Sequence, residues 1–331
     1  MRKFREQINE PFYKSAPFTL YFSNSRIAVL DIETTGLSPD SSRAILCGLL
    51  VPYKNKAQER QYFSASAREE SQMLEAYLSD LSEADLLISF NGNRFDLPFL
   101  RRRNTALGLN RFPEAFSSLD LYRCCRFYSS LPQILPNLKQ KTVEEFLGFS
   151  EGRTDEISGG ESVILYREYQ KTQNPELLNL ILLHNRDDLV QLSRLLLILN
   201  KLDLHRILFY EGFPEVRENR AFYTRSIEFR ESVLRVSAAA RNCPMDYYSF
   251  ESGYQAAYRA SQKQLILEIP CFEKASFLFV DLEALPIEAQ QLEDYPGYQS
   301  GYLILRKGKE IQYAETNLFL KSVLNAILQK L

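Results

Sequence analysis

The sequence predicts an α/β domain, a mixed sheet flanked by helices, followed by a smaller α+β domain. Short apolar runs bounded by turn residues come first and helical spacing follows. Strand and helix then alternate once more before a purely helical stretch, the order of a mixed sheet with helical cover. After Asp203 the pattern changes character. At 331 residues the chain exceeds the usual single compact domain, so two are expected, over 1–205 and 206–331.

Arg26–Asp31 and Ala44–Val51 are apolar runs separated by the turn-forming Ser38-Pro39-Asp40-Ser41-Ser42, which reads as a strand hairpin. Arg60–Phe63 supplies a third strand. Met73, Leu74, Tyr77, Leu78 and Leu81 then recur at helical spacing within Glu69–Leu81. Asp85–Phe90 is a buried strand, and Leu97–Leu107 a helix entered through Asp96-Leu97-Pro98, since proline suits a first helical turn. A strand around Ser118–Leu121 precedes helical patterns as far as Lys201. Beyond it, strands are expected at Ser226–Val236, Gln264–Ile269, Ser276–Asp281 and Tyr302–Leu305. The last leads through Arg306-Lys307-Gly308-Lys309 into Glu310–Ala314, and an amphipathic helix, Leu318–Leu328, closes the chain.

Forty Lys+Arg against 42 Asp+Glu leave a net charge of -2, so no global basic field marks a polyanion partner and any phosphate-binding surface must be local. Neither a signal peptide nor a membrane span is legible, which makes a cytoplasmic protein the expectation. The five cysteines form no C-x-x-C pair and only two histidines are present, so reduced, buried thiols are expected rather than a structural zinc site.

Three segments carry chemistry. In Asp31-Ile32-Glu33-Thr34-Thr35-Gly36-Leu37, the two acids stand two apart on a strand and so share a face. Adjacent carboxylates repel unless a cation lies between them, which suits a hard-metal site; solvated strand ends carry such pairs too. Phe90-Asn91-Gly92-Asn93-Arg94-Phe95-Asp96 places an acid at a helix start, after a loop in which Gly92 permits an unusual backbone turn. A capping aspartate is the plainer reading. In Leu183-His184-Asn185-Arg186-Asp187-Asp188, His184 and Asp188 lie four apart and face the same way on a helix. Asp187, about 100° round from Asp188, reads as a nearby surface charge. Phe279-Val280-Asp281-Leu282-Glu283 repeats the strand-then-acids pattern without the threonines and glycine, and reads as an ordinary strand end.

In this order the three segments resemble the three motifs of the DEDD (DnaQ-like) exonuclease superfamily, whose fold is ribonuclease-H-like. The YprB-like branch is suggested further by Leu119-Asp120-Leu121, by Leu138–Glu144 with Leu147-Gly148, and by Asp155-Glu156-Ile157-Ser158-Gly159 ahead of Leu165-Tyr166. The resemblance covers roughly residues 26–200. It implies that Asp31, Glu33, Asp96 and Asp188 bind two Mg²⁺ or Mn²⁺ ions, that His184 takes the general base's place, and that Thr34, Leu37 and Asn91 meet the substrate. Family members with histidine place it five residues before the last aspartate and those with tyrosine four before; here histidine stands at the four-residue spacing. The last ligand is Asp188 or Asp187, and Asp188 is preferred because it shares the face of His184.

The implied activity is 3′–5′ exonuclease action on nucleic acid, DNA before RNA, at a single strand or 3′ end. Competing readings are an inactive binding module and a structure-specific endonuclease. Arg101-Arg102-Arg103, Arg111, Arg123, Arg126, Lys139 and Lys141 could track a phosphate backbone, or simply solvate helix ends. For the second domain, substrate guide, dimerisation surface and docking site for a helicase or repair partner are all open.

Overall fold

A computed structural model of the chain describes residues 1–149, 153–154, 157, 159–251, 253–288 and 290–331. It divides into two compact units. The first comprises residues 1–15, 26–113 and 118–202, and the second residues 16–25, 114–117 and 203–331.

The first unit is built on a six-stranded sheet of β1 (Arg2–Ile8), β2 (Ile27–Thr34), β3 (Ala44–Tyr53), β4 (Lys56–Phe63), β5 (Leu86–Ser89) and β6 (Ser117–Asp120), in the order β1-β4-β3-β2-β5-β6. The pairs β1–β4, β4–β3 and β3–β2 are antiparallel, whereas β2–β5 is parallel. Ala44 to Leu50 are all buried, as a near-continuous apolar run covered on both faces requires. β1 was not legible. Its sequence, RKFREQI, is almost wholly polar, and such charge is how an edge strand discourages pairing with other chains.

In chain order the helices are α1 (Ala16–Phe22, within the second unit), α2 (Glu70–Leu81), α3 (Asp96–Ala106), α4 (Leu121–Tyr128), α5 (Leu131–Ile134), α6 (Gln140–Leu147), α7 (Gly159–Thr172) and α8 (Pro175–Leu195). α2 packs on β3 and β4, and α8 on β2 and β3. The α8 contact is close: a Cβ at Gly48 of β3 would lie 2.3 Å from Asn185 Oδ1 and 2.6 Å from Leu189 Cδ1. Ile45, Leu46 and Phe63 of the sheet interlock with Tyr166 and Tyr169 of α7 and Leu178 and Ile181 of α8. The fold class read from the sequence is therefore the one observed.

The second unit holds an antiparallel sheet of β7 (Pro214–Arg217), β8 (Arg220–Arg230), β9 (Val233–Arg241), β10 (Tyr247–Phe250), β11 (Gln255–Arg259) and β12 (Gln264–Pro270), in the order β10-β11-β12-β9-β8-β7. A second sheet joins β13 (Phe272–Lys274), β14 (Phe277–Asp281), β15 (Tyr298–Gln299), β16 (Tyr302–Lys307) and β17 (Glu310–Ile311), with α9 (Leu204–Glu211), α10 (Gln290–Glu293) and α11 (Tyr313–Lys330) beside them. The single strand expected over Ser226–Val236 is instead a hairpin, turning at Glu231, φ 51°, with Arg230 paired to Val233. No glycine or asparagine marks that turn, so the sequence reads straight through it.

Candidate active site

β2 carries Asp31 and Glu33 to its far end, where β5 and the loop before α3 bring Asp96, and α8 brings His184 and Asp188. His184 Nε2 lies 3.5 Å from Glu33 Oε1 and 3.6 Å from Asp188 Oδ2. One ligand atom from each of these three residues falls within 4.8 Å of the others, the geometry of a potential metal site. Asp31 and Asp96 complete the group electrostatically. Removal from solvent, then repulsion from Asp188, Asp96 and Glu33, holds the Asp31 carboxyl well above the carboxylate range. Burial pushes Glu33 up to about 7, against the pull of His184 and with the repulsion of Asp188. Burial also raises Asp96 to about 7, opposed by backbone N–H donors, Ile32 among them, and reinforced by Asp120 and Asp188. Carboxylates from three segments are thus brought within electrostatic reach of one another.

The acids are held by residues that the sequence reading did not single out for a role. Asn185 Nδ2 donates to Asp31 Oδ2 at 2.8 Å, while Asn185 Oδ1 accepts from Gln61 Nε2 at 3.0 Å. Both amides are buried, so Asp31 is oriented from beneath. Arg153 Nη2 lies 2.6 Å from Asp188 Oδ1, and its Nε and Nη2 donate to Glu144 at 2.6 and 2.9 Å. Gln140 Nε2 donates to Glu144 Oε1 and to the Asp188 carbonyl. The two oxygens of Asp188 are thereby distinguished: Oδ1 faces the guanidinium and Oδ2 faces His184.

Asp187 is not a surface charge. It is buried, and its Oδ2 accepts from the Thr154 backbone N–H at 2.6 Å and hydroxyl at 2.9 Å. The i,i+4 face it does not share with His184 packs against residue 154 rather than water. Of the string that preceded α7, Asp155, Glu156 and Ser158 lie outside the described residues.

The loop before Asp96 also differs from its sequence reading. The left-handed conformation belongs to Asn91, φ 64°, not to Gly92. Gly92 is needed for space instead, since a Cβ there would lie 2.3 Å from Ser89 Oγ. Asp120 pins this loop, accepting from the backbone N–H groups of Asn91 at 2.8 Å and Asn93 at 3.1 Å while capping α4 through Tyr122 N. Thr34 is buried, its hydroxyl donating to the Gly36 carbonyl, whereas Leu37 is 83% exposed.

The basic run is largely spoken for. Arg103 pairs with Glu70, Arg102 with Asp40 and Arg111 with Glu75, Arg101 lies over Phe112, and Arg123 and Arg126 lie over Phe127. At the strand end of the second unit, Asp281 Oδ1 accepts from the Glu283 N–H, the ordinary turn that the sequence suggests. All five cysteines are free and buried, as expected. Among the described residues no helix is long and apolar enough to cross a membrane.

A family model described as the RNase_H superfamily matches residues 28–200. Over 184 residues the chain is 28% identical to the uncharacterized protein YprB of Bacillus subtilis, covering 54% of this chain and 43% of that protein, so it spans less than half of that relative's length. Among solved structures it is similar to the family B DNA polymerase of Pyrobaculum calidifontis, at 18% identity and TM-score 0.41, covering 52% of this chain and 24% of the polymerase. It is also similar to Escherichia coli exonuclease I in complex with a dT13 oligonucleotide, at 14% identity and TM-score 0.29, covering 47% and 43% of the two chains.

Proposed function

This chain belongs to the RNase_H superfamily, and we propose that it is a metal-dependent 3′–5′ exonuclease of the DEDD type acting on nucleic acid, DNA being the first candidate substrate and RNA the second. The observation that carries the proposal is the meeting of Asp31, Glu33, Asp96 and Asp188 beside His184, each acid repelled by its neighbours.

The donor set fits a hard divalent cation. Four carboxylates offer the oxygen ligands that Mg²⁺ or Mn²⁺ prefers, and clustered negative charge withdrawn from solvent is stabilised when such a cation is held. Two such ions, when bound, supply an activated water and neutralise charge on the attacking and leaving oxygens of a phosphodiester. The residues of the chain do the rest. Asp31, Glu33, Asp96 and Asp188 form the cradle, Asn185 fixes the Asp31 carboxylate, and Arg153 fixes that of Asp188. His184 is buried and faces both Glu33 and Asp188, which supports assigning it as the acceptor of the attacking water's proton. Leu37, exposed beside the acids in sequence, and Thr34 and Asn91 are assigned to the terminal nucleotide.

The test is incubation of the full chain with 5′-labelled single- and double-stranded DNA and RNA, with Mn²⁺, Mg²⁺ or chelator. Stepwise shortening from the 3′ end, lost in chelator and in Asp31→Ala or Asp96→Ala proteins of unchanged circular dichroism, is the expected result. Internal cuts ahead of end shortening would make it an endonuclease, and unchanged cleavage by either variant would remove the carboxylate mechanism.

A further inference from the structure

The second unit carries an aromatic sheet face for which the nuclease site has no use. In β14 the side chains alternate, with Leu278 and Val280 buried, while in β16 Leu303, Ile304 and Leu305 are all buried and α11 packs against the strand. The opposite face is covered at its centre, where Ile304 pairs with Phe279, and open around it. Phe272, Phe277 and Tyr302 are 53%, 40% and 44% exposed, and Phe279 is half-buried between them. Phe272 stacks on Phe279 with ring centroids 5.9 Å apart, and Tyr302 meets Phe279 edge-on at 5.5 Å. Large aromatic rings left in contact with water on a regular sheet face carry a cost unless something covers them.

One end of this face is basic. Phe277 pairs across the sheet with Lys274 on one side and Lys307 on the other. The two hairpin tips lie side by side, joined by the Gly308 N–H donating to the Ser276 carbonyl at 2.6 Å, which brings Lys309 to the same corner. None of these three lysines has a carboxylate within ion-pair distance among the described residues. Glu310, opposite Lys307 in register, offsets one of them, and the carboxylate at the other end, Asp281, lies across from Tyr302 and accepts from the Glu283 N–H, so the positive excess is confined to the Phe277 end. In a chain of net charge -2 this corner is a local positive excess.

We propose that this face binds single-stranded nucleic acid, its bases stacking on Phe272, Phe277 and Tyr302 and its phosphates meeting Lys274, Lys307 and Lys309. Every base has a π-face and every linkage a charge, so flat aromatics beside unpaired lysines match a single strand in both respects. A protein partner would find the rings attractive but would have no general reason to prefer the lysine corner. The proposal does not depend on the carboxylate cluster, because binding here requires neither metal nor cleavage.

The chain contains no tryptophan, so Phe272→Trp places a single reporter on the face. In the full chain with chelator, titration with oligothymidylate is expected to quench that emission at saturation. Fluorescence anisotropy of a labelled oligothymidylate should show Phe277→Ala and Tyr302→Ala weakening binding by about five- to a hundredfold, with unchanged melting temperature. Lys274→Gln and Lys307→Gln should each lower the slope of log affinity against log salt by about 0.7. Unquenched emission at saturating oligonucleotide, or aromatic variants that bind as the parent does, overturns the proposal. So does a change in self-association on sedimentation without a change in oligonucleotide affinity, which would assign the face to protein.

Discussion

Asp187 and Asp188 are neighbours on α8 with opposite surroundings. Asp188 divides its oxygens between Arg153 and His184, while Asp187 holds the backbone and hydroxyl of Thr154. Asp188→Ala is expected to be almost inactive, because it removes a cradle carboxylate and takes one of two carboxylate partners from the half-buried Arg153. Asp187→Ala should instead retain chemistry and lose about 0.5–1.5 kcal/mol of stability for each hydrogen bond given up, since Thr154 is itself exposed and water can replace its partner. Urea unfolding read beside the exonuclease assay separates the two; an inactive, fully stable Asp187→Ala protein would reverse the assignment. His184→Ala should still bind Mn²⁺, measured by calorimetry, yet lose about 10²–10⁴-fold in rate. Loss of Mn²⁺ binding in that variant would make His184 a ligand rather than a base.

At the scale of elements, the site depends on how closely α8 lies on β3. Gly48 sets that distance, since any Cβ would overlap Asn185 and Leu189. Gly48→Ala must therefore push the helix outward or displace Asn185, at about 1–3 kcal/mol for an overpacked contact. Because Asn185 orients Asp31 and the same helix carries His184 and Asp188, activity should fall by more than the lost stability explains. The check is kcat measured at a temperature where the variant is fully folded: a parental kcat there would mean that α8 tolerates the shift. The loop before α3 is built on the same economy, with Asn91 supplying the turn and Gly92 the space.

For the whole molecule, the crowded acids link stability to pH and metal. A carboxylate whose pKa is raised by folding subtracts stability once ionised, so the cost is absent below its unfolded pKa and complete above its folded one. For Glu33 and Asp96 that window runs from about 4 to about 7. Metal-free protein should melt several degrees lower at pH 8 than at pH 5. Glu59, raised to about 7 chiefly by burial and lying outside the cluster, follows the same sign and keeps it when metal is added. Saturating Mn²⁺ at pH 8 should restore stability, by about 2.7 kcal/mol at a hundredfold excess over its Kd. In chelator at pH 8, Asp31→Asn should melt no lower than the parent protein. A variant that melts far below it would mean that Asp31 is held by favourable pairing rather than strained by its neighbours.

Order and spacing in the sequence determined the mixed sheet with its helices and brought out Asp31, Glu33, Asp96, His184 and Asp188, because these features are local. A strand's period places Asp31 and Glu33 on one face, and a helix's period does the same for His184 and Asp188. Only the tertiary structure decided which neighbours hold those side chains. Gln61 lies 30 residues from Asp31 and acts through Asn185, while Arg153 and Glu144 lie 35 and 44 residues from Asp188, so no periodicity links them. The same holds for Asp187, whose burial depends on residue 154, and for β1, whose polar sequence becomes a strand only because β4 offers it an edge. Local pattern fixes which way a side chain points along its own element; what it meets there is set by packing between elements distant in the chain.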